Sequence, residues 1–346
     1  MQPLTLRRVS LRCLALAGVL LVVAVLALKM GAVKVSLYGL ASDLIQFAFH
    51  RTNALSSNYS LIVFDIRLPR ILLGVFVGAS LAVAGTSFQA LLRNPLADPY
   101  VLGVSSGAAV GAIFAVMLEP YFGLAPDVAV LLTPVGAFLG ALGTIAAVYV
   151  LGRRDGEIDS TTLLLGGIIT ASFLNALIML LLNLLSGRDH GGMAFWLMGD
   201  LSTPVQGSVH WVIRVGFFLA AGAIYTTAAD LNLLLVGEKE AMHLGVDVKR
   251  VRIVVYVAAS ILTGLAVSVS GAIGYVGLLV PHVMRMIFGS DHRMLIPAAA
   301  FGGAIAVVLA DMLARTVAAP SELPVGAMTA LAGAPLFIYL LRRRLA

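Results

Sequence analysis

Ser172, Asn175, Met179, Asn183 and Ser186 recur at intervals of three or four residues inside a long apolar run, which places them along one face of a helix. Side chains that are polar but uncharged can line a hydrated passage without holding what passes through it. The same spacing also serves hydrogen bonds between helices, and both readings stand at this stage. Asp311 is the one carboxylate near the middle of an apolar run, with Arg315 one helical turn away as its natural partner. A lone Asp311 could also serve as a cation relay, although an ion-driven carrier is expected to bury more ionisable groups than this. Gly237 to Arg252, GEKEAMHLGVDVKRVR, forms a short charged stretch bounded by glycine in an otherwise oily chain, and its pattern suits a docking surface. Signals for catalysis are missing: there is no HExxH pair, and His50, His190, His210, His243, His282 and His292 lack metal-ligand spacing. No G-x-x-x-x-G-K-[ST] loop occurs either, so any ATP chemistry belongs to another polypeptide. No catalytic residue, metal ligand or cofactor is assigned to this chain.

The elements that carry these residues are membrane helices. The chain has 346 residues, of which 60% are hydrophobic and 12% charged, and its mean hydropathy is +1.01. Such a composition excludes an ordinary soluble fold. Ten apolar runs fall at 11–33, 61–92, 99–118, 127–152, 161–186, 207–229, 250–271, 274–289, 294–318 and 324–342. Each is near the length of about 20 residues that a bilayer requires. Met193 to Gly199 is too short to cross and reads as a half-helix at the outer surface. The expected fold is therefore an all-α integral membrane protein, a single domain over 1–346 with a cytoplasmic loop at 230–249.

Arg7, Arg8 and Arg12 precede the first apolar run, but no small-x-small cleavage site closes that run at Lys29, so it reads as an uncleaved helix. Cys13 lies in that run and forms no internal disulfide, being the only cysteine. Ten spans put both termini on one side. With that side taken as the cytoplasm, fifteen of the 23 Lys and Arg residues fall inside. Lys29, Lys34, Arg51, Arg67, Arg70, Arg188, Arg214 and Arg315 remain outside, an asymmetry that follows the positive-inside rule. The net charge of +6 is thus a topology signal and calls for no nucleic-acid partner. Gly74 and Gly78, Gly103, Gly107 and Gly111, and Gly136 and Gly140 share the spacing that lets membrane helices approach closely, and internal packing is the plainer use of them.

Several separated blocks resemble one family. RLPRILLGVFVGASLAVAG from Arg67, FQALLRNPLADPYVLGVSSGAAVGA from Phe88, FWLMGDL from Phe195 and GEKEAMHLGV from Gly237 are similar to permeases of iron-complex and cobalamin ABC importers. GAIGYVGLLVPHVMRMIFGSDHR from Gly271, LADMLAR from Leu309 and SELPVGAMTALAGAP from Ser321 continue the resemblance in the same order. The resemblance implies a type II importer permease with about ten helices, working as a homodimer in the bacterial inner membrane. Its implied partners are two cytoplasmic ATPase subunits, which hold ATP and magnesium, and one periplasmic substrate-binding protein. It further implies that Glu238, Ala241, Leu244 and Gly245 contact the ATPase, that Arg67, Arg70 and Arg315 meet acidic groups of the binding protein, and that Ser160 and Thr161 form a gate. Arg67 and Arg70 could instead anchor a helix end at the interface, and Asp159 or Ser160 could simply cap a helix. Cargo stays open among ferric siderophore, haem and cobalamin. The rival class is an ion-coupled secondary carrier.

Overall fold

The computed structural model describes residues 5–31, 33, 36, 38–39, 62–154, 157–158, 160–185, 187–202 and 207–345. Thirteen α-helices account for nearly all of them. In chain order they are α1 Leu6–Lys29, α2 Leu68–Leu91, α3 Val104–Phe122, α4 Pro126–Leu151, α5 Ser160–Leu184, α6 Gly187–Leu197 and α7 Gly207–Thr226. There follow α8 Ala228–Leu234, α9 Glu238–His243, α10 Val248–Ser270, α11 Val276–Phe288, α12 His292–Ala314 and α13 Val325–Leu345. Among the described residues eight helices are long and apolar enough to cross a membrane, and Val276–Phe288 and Val325–Tyr339 are shorter apolar helices. The ten expected spans are thus all helical. The chain is a multi-pass membrane protein.

The helices at the centre are α2, α10 and α12, whose most apolar windows are 83%, 78% and 67% buried. Helices α11 and α12 approach α2 closely because glycines face each other. A Cβ on Gly78 would collide with the carbonyl of Gly303, and one on Gly85 with that of Gly277. In the α3–α4 hairpin, Gly107 and Gly111 meet Gly140 and Gly136 in the same manner. The glycine spacing seen in the sequence is therefore internal packing at these positions.

Three interruptions differ from plain spans. The second span opens with a π-helical turn, Ile62–Arg67, that runs straight into α2. The third does not begin at residue 99: Pro99–Leu102 is a 3-10 turn capped by the Asp98 side chain, and Gly103 at φ 76° breaks it from α3. Opposite it, residues 271–275 are non-helical, which shortens α11. Backbone groups at such breaks must be satisfied within the protein. Tyr100 Oη accepts from the amide of Ile273 at 3.0 Å, Asp200 N donates to Ser270 O at 2.8 Å, and Val325 N donates to Gly199 O at 2.8 Å. A two-residue ribbon, β1 Arg153–Arg154 with β2 Glu157–Ile158, joins α4 to α5.

Charged side chains cluster at the two ends of the bundle. Arg67, Arg70 and Arg315 collect at one end, while Arg93, Glu238 and Arg252 collect at the other. Arg12 stacks on the Phe288 ring at 5.8 Å, so the start of α1 lies near the end of α11.

Candidate functional site

At the end where α7 runs out, two short helices fold into a knuckle. Gly245 at φ 86° ends α9, and the amides of Gly245 and Val246 return to the carbonyls of Met242 and Ala241 at 3.0 Å each. Two residues later Asp247 starts α10, its carboxylate accepting from Arg250 N at 3.0 Å. Glycine followed by aspartate thus turns the chain between helices. Of the four residues expected to touch an ATPase, two face inward. Ala241 is fully buried, and Glu238 Oε1 pairs with Arg93 Nη2 at 2.6 Å and accepts from Arg252 Nη2. Leu244 is 66% exposed and Gly245 is exposed beside it. Leu235, Val236 and Met242 are exposed on the same knuckle, giving an apolar surface on the polar end of the molecule.

At the opposite end the arginines are not free. Arg67, Arg70 and Arg315 are only 5–8% exposed. Arg70 Nε donates to Asp311 Oδ1 at 2.7 Å and its Nη1 to Glu322 Oε2 at 2.8 Å. Arg315 Nε donates to Asp311 Oδ2 at 2.9 Å, while its Nη1 and Nη2 reach Met30 O and Ala27 O at 3.3 Å. Arg67 donates to the carbonyls of Leu28 (2.5 Å) and Val33. The three guanidinium groups expected to meet acidic groups of a binding protein are thus already paired within the chain. Each closes the carbonyl end of α1 or neutralises Asp311, because a buried cation must be paired. Asp311 is matched by two arginines, which leaves it no spare charge with which to hold a cation.

The polar stripe runs down an exposed side of α5. Asn175 Oδ1 accepts from Ser106 Oγ of α3 at 2.8 Å, which is the inter-helix bond. Ser172 Oγ and Asn183 Nδ2 donate back to Ile168 O at 2.9 Å and Met179 O at 2.7 Å, within their own helix. The Met179 side chain is exposed between them. The inter-helix bond is thus made at Asn175, while Ser172 and Asn183 bond within α5. Thr161 is exposed at the start of α5. Asp159, Ser186 and the side chain of Ser160 lie outside the described residues. Among the described residues no three His, Cys, Asp or Glu side chains gather as metal ligands.

Residues 19–343 match the model of the FecCD transport family. The chain belongs to that family. It is 42% identical over 287 residues to the hemin transport system permease protein HmuU of Yersinia pestis, covering 81% of this chain and 83% of that one. With the cobalamin import system permease protein BtuC of Halobacterium salinarum it shares 44% over 283 residues, 82% of this chain and 74% of the other. A solved metal-chelate type ABC transporter in an inward-facing conformation superposes with a TM-score of 0.77 at 31% identity, covering 95% of this chain and 98% of that one.

This FecCD chain also holds polar residues that sequence reading did not single out. Arg93 and Arg252 flank Glu238, and Arg93 takes a positive φ of 47°, rare for a side chain of its size. Asn232 bonds to Asp291 and His292. Their signal was weak, since each is an ordinary polar residue at the edge of an apolar run.

Proposed function

We propose that this FecCD protein is the permease subunit of an ATP-driven ABC importer for an iron chelate, haem or cobalamin. It works as a homodimer in the bacterial inner membrane with both termini in the cytoplasm, and each chain is one permease domain with a coupling loop at 230–249. Two ATPase subunits bind ATP and magnesium below, and a periplasmic binding protein delivers cargo above. The observation that carries this reading is the knuckle: Leu235, Val236, Met242 and Leu244 are exposed at the polar end, where only a partner can cover them.

Nucleotide-driven motion of the ATPases displaces α8 and α9 and switches which end of the passage is closed. Glu238 and Ala241 hold the knuckle to the body, and Leu244 and Gly245 make the contact. The exposed face of α5 with Ser172, Asn175, Met179 and Asn183 lines the passage across the dimer axis, and Ser160 and Thr161 narrow its cytoplasmic mouth. An uncharged lining suits a path that must release its cargo. On the outer face, Arg67, Arg70 and Arg315 meet the binding protein only by exchanging internal partners. The bond from Arg70 to Glu322, a residue 41% exposed in its side chain, is the one placed to open.

The test is co-purification. The chain is co-expressed with the ATPase and binding-protein genes of its own operon, and Leu244→Asp is compared with the unaltered chain. Loss of a central apolar anchor is expected to reduce recovered ATPase at least about tenfold. Undiminished recovery, or no ATPase bound by the unaltered chain, contradicts the reading.

A further inference from the structure

Glu238 is one tie between the knuckle and the membrane body, and a second lies on the other helix of the pair. Asn232 sits in α8, and its Nδ2 donates to Asp291 Oδ1 at 2.8 Å. Its own Oδ1 accepts from the backbone amide of His292 at 2.8 Å and meets the ring Nδ1 of His292 at 2.8 Å. A carbonyl oxygen only accepts, so the proton of the neutral ring is on Nδ1. Asp291 and His292 begin α12: the carboxylate of Asp291 caps it by accepting from Arg293 N at 3.0 Å, and His292 is 2% exposed. One amide side chain thereby holds both residues at the cytoplasmic start of a buried helix.

The far end of that helix carries Asp311, which is fixed to Arg70 and Arg315. Twenty-three residues of helix separate the coupling end from the outer arginine cluster. A displacement of α8 that Asn232 passes to residues 291–292 therefore reaches both ends of α12. We propose that Asn232 is a positioning residue that transmits the movement of the coupling helices to α12, in parallel with the path from Glu238 to α2 and α10. This linkage rests on the reading of the chain as an ATPase-driven permease.

The chemistry is specific to an amide at this position. Alanine would strip partners from Asp291 and from two N–H groups of His292. Aspartate would keep the two acceptor bonds and lose the donor. Its carboxylate would then face Asp291, which stays ionised at neutral pH because bonding to Arg293 holds its pKa down at about 2.

That contrast supplies the experiment. The full complex of permease, ATPase and binding protein is reconstituted in proteoliposomes, and ATP hydrolysis is measured together with uptake of whichever of ferric siderophore, haem or cobalamin the unaltered complex accumulates. Asn232→Asp is expected to leave ATPase recovery unchanged while cargo moved per ATP falls at least about fivefold, as facing like charges disfavour the latched arrangement. The swap N232D/D291N restores a donor opposite an acceptor, since asparagine also caps helices, and should return the ratio to within about twofold of the unaltered chain. An unaffected N232D, or a defect the swap does not repair, overturns the linkage. Should N232D fail to fold, the swap alone decides: normal folding and coupling support the contact, and their loss contradicts it. An unaltered chain that binds no ATPase overturns the parent reading, and the linkage with it. Normal coupling in the unaltered chain with an indifferent N232D overturns the linkage alone.

Discussion

Asp311 concentrates the residue-scale energetics. Its carboxylate is nearly inaccessible and meets two buried guanidinium groups, so removing its charge leaves Arg315 with backbone carbonyls alone and Arg70 with Glu322 as its one carboxylate in a low-dielectric interior. Asp311→Asn is expected to cost about 3–5 kcal/mol, the usual scale for breaking a buried ion pair from one side. The loss is read as a lower midpoint of thermal unfolding in detergent. An unchanged midpoint with transport abolished would instead make Asp311 part of the passage. Glu238 differs in degree, because it and Arg93 are partly exposed and solvent screens them. Glu238→Gln is therefore predicted to shift the unfolding midpoint little while lowering cargo moved per ATP, as measured in the reconstituted complex; equal ratios would remove Glu238 from the linkage. Half of the Asp311 site could be read from the sequence. Arg315 lies one turn away, whereas Arg70 is 241 positions distant and no local spacing joins the two. The arginine motif was equally visible, but spacing carries no information on burial, and burial is what turns these three side chains inward.

At the scale of elements, apolar length and glycine spacing were legible because a bilayer imposes the first and close backbone approach the second. Gly78→Val should disrupt the α2–α12 contact, since its Cβ would strike the Gly303 carbonyl. Gly143→Val makes the control, because a Cβ at Gly143 meets nothing within 4 Å. Membrane yield and unfolding midpoint should fall for the first and hold for the second; similar behaviour of the two would refute the packing assignment. The breaks were less legible. Residues 99–102 look like the start of a span, whereas the Asp98 cap and Gly103 set them apart as a turn, which packs on residues 271–277 across the fold. The short helices α8 and α9 were visible as a polar interruption, yet helices of seven and six residues have too few positions for spacing to reveal a buried face. Spacing therefore gave no sign that Glu238 pairs with Arg93 and Arg252.

For the whole molecule, the distribution of burial is the decisive property. The central α2, α10 and α12 are enclosed, whereas the apolar windows of α1, α5 and α7 are no more than 17% buried within one chain. Lipid covers part of that surface, and a second copy across the exposed face of α5 would cover more. Light scattering in detergent should give the mass of two chains; a strict monomer in an active preparation would contradict the dimeric passage. The central claim is that this chain supplies the conduit and takes its energy from a nucleotide-hydrolysing neighbour. Uptake of ferric siderophore, haem or cobalamin into proteoliposomes tests it most directly, with the chain alone or joined by its ATPase and binding protein. Accumulation of one of these cargoes by the full complex, strictly dependent on ATP, is the predicted result. Accumulation by the chain alone under an ion gradient would contradict it.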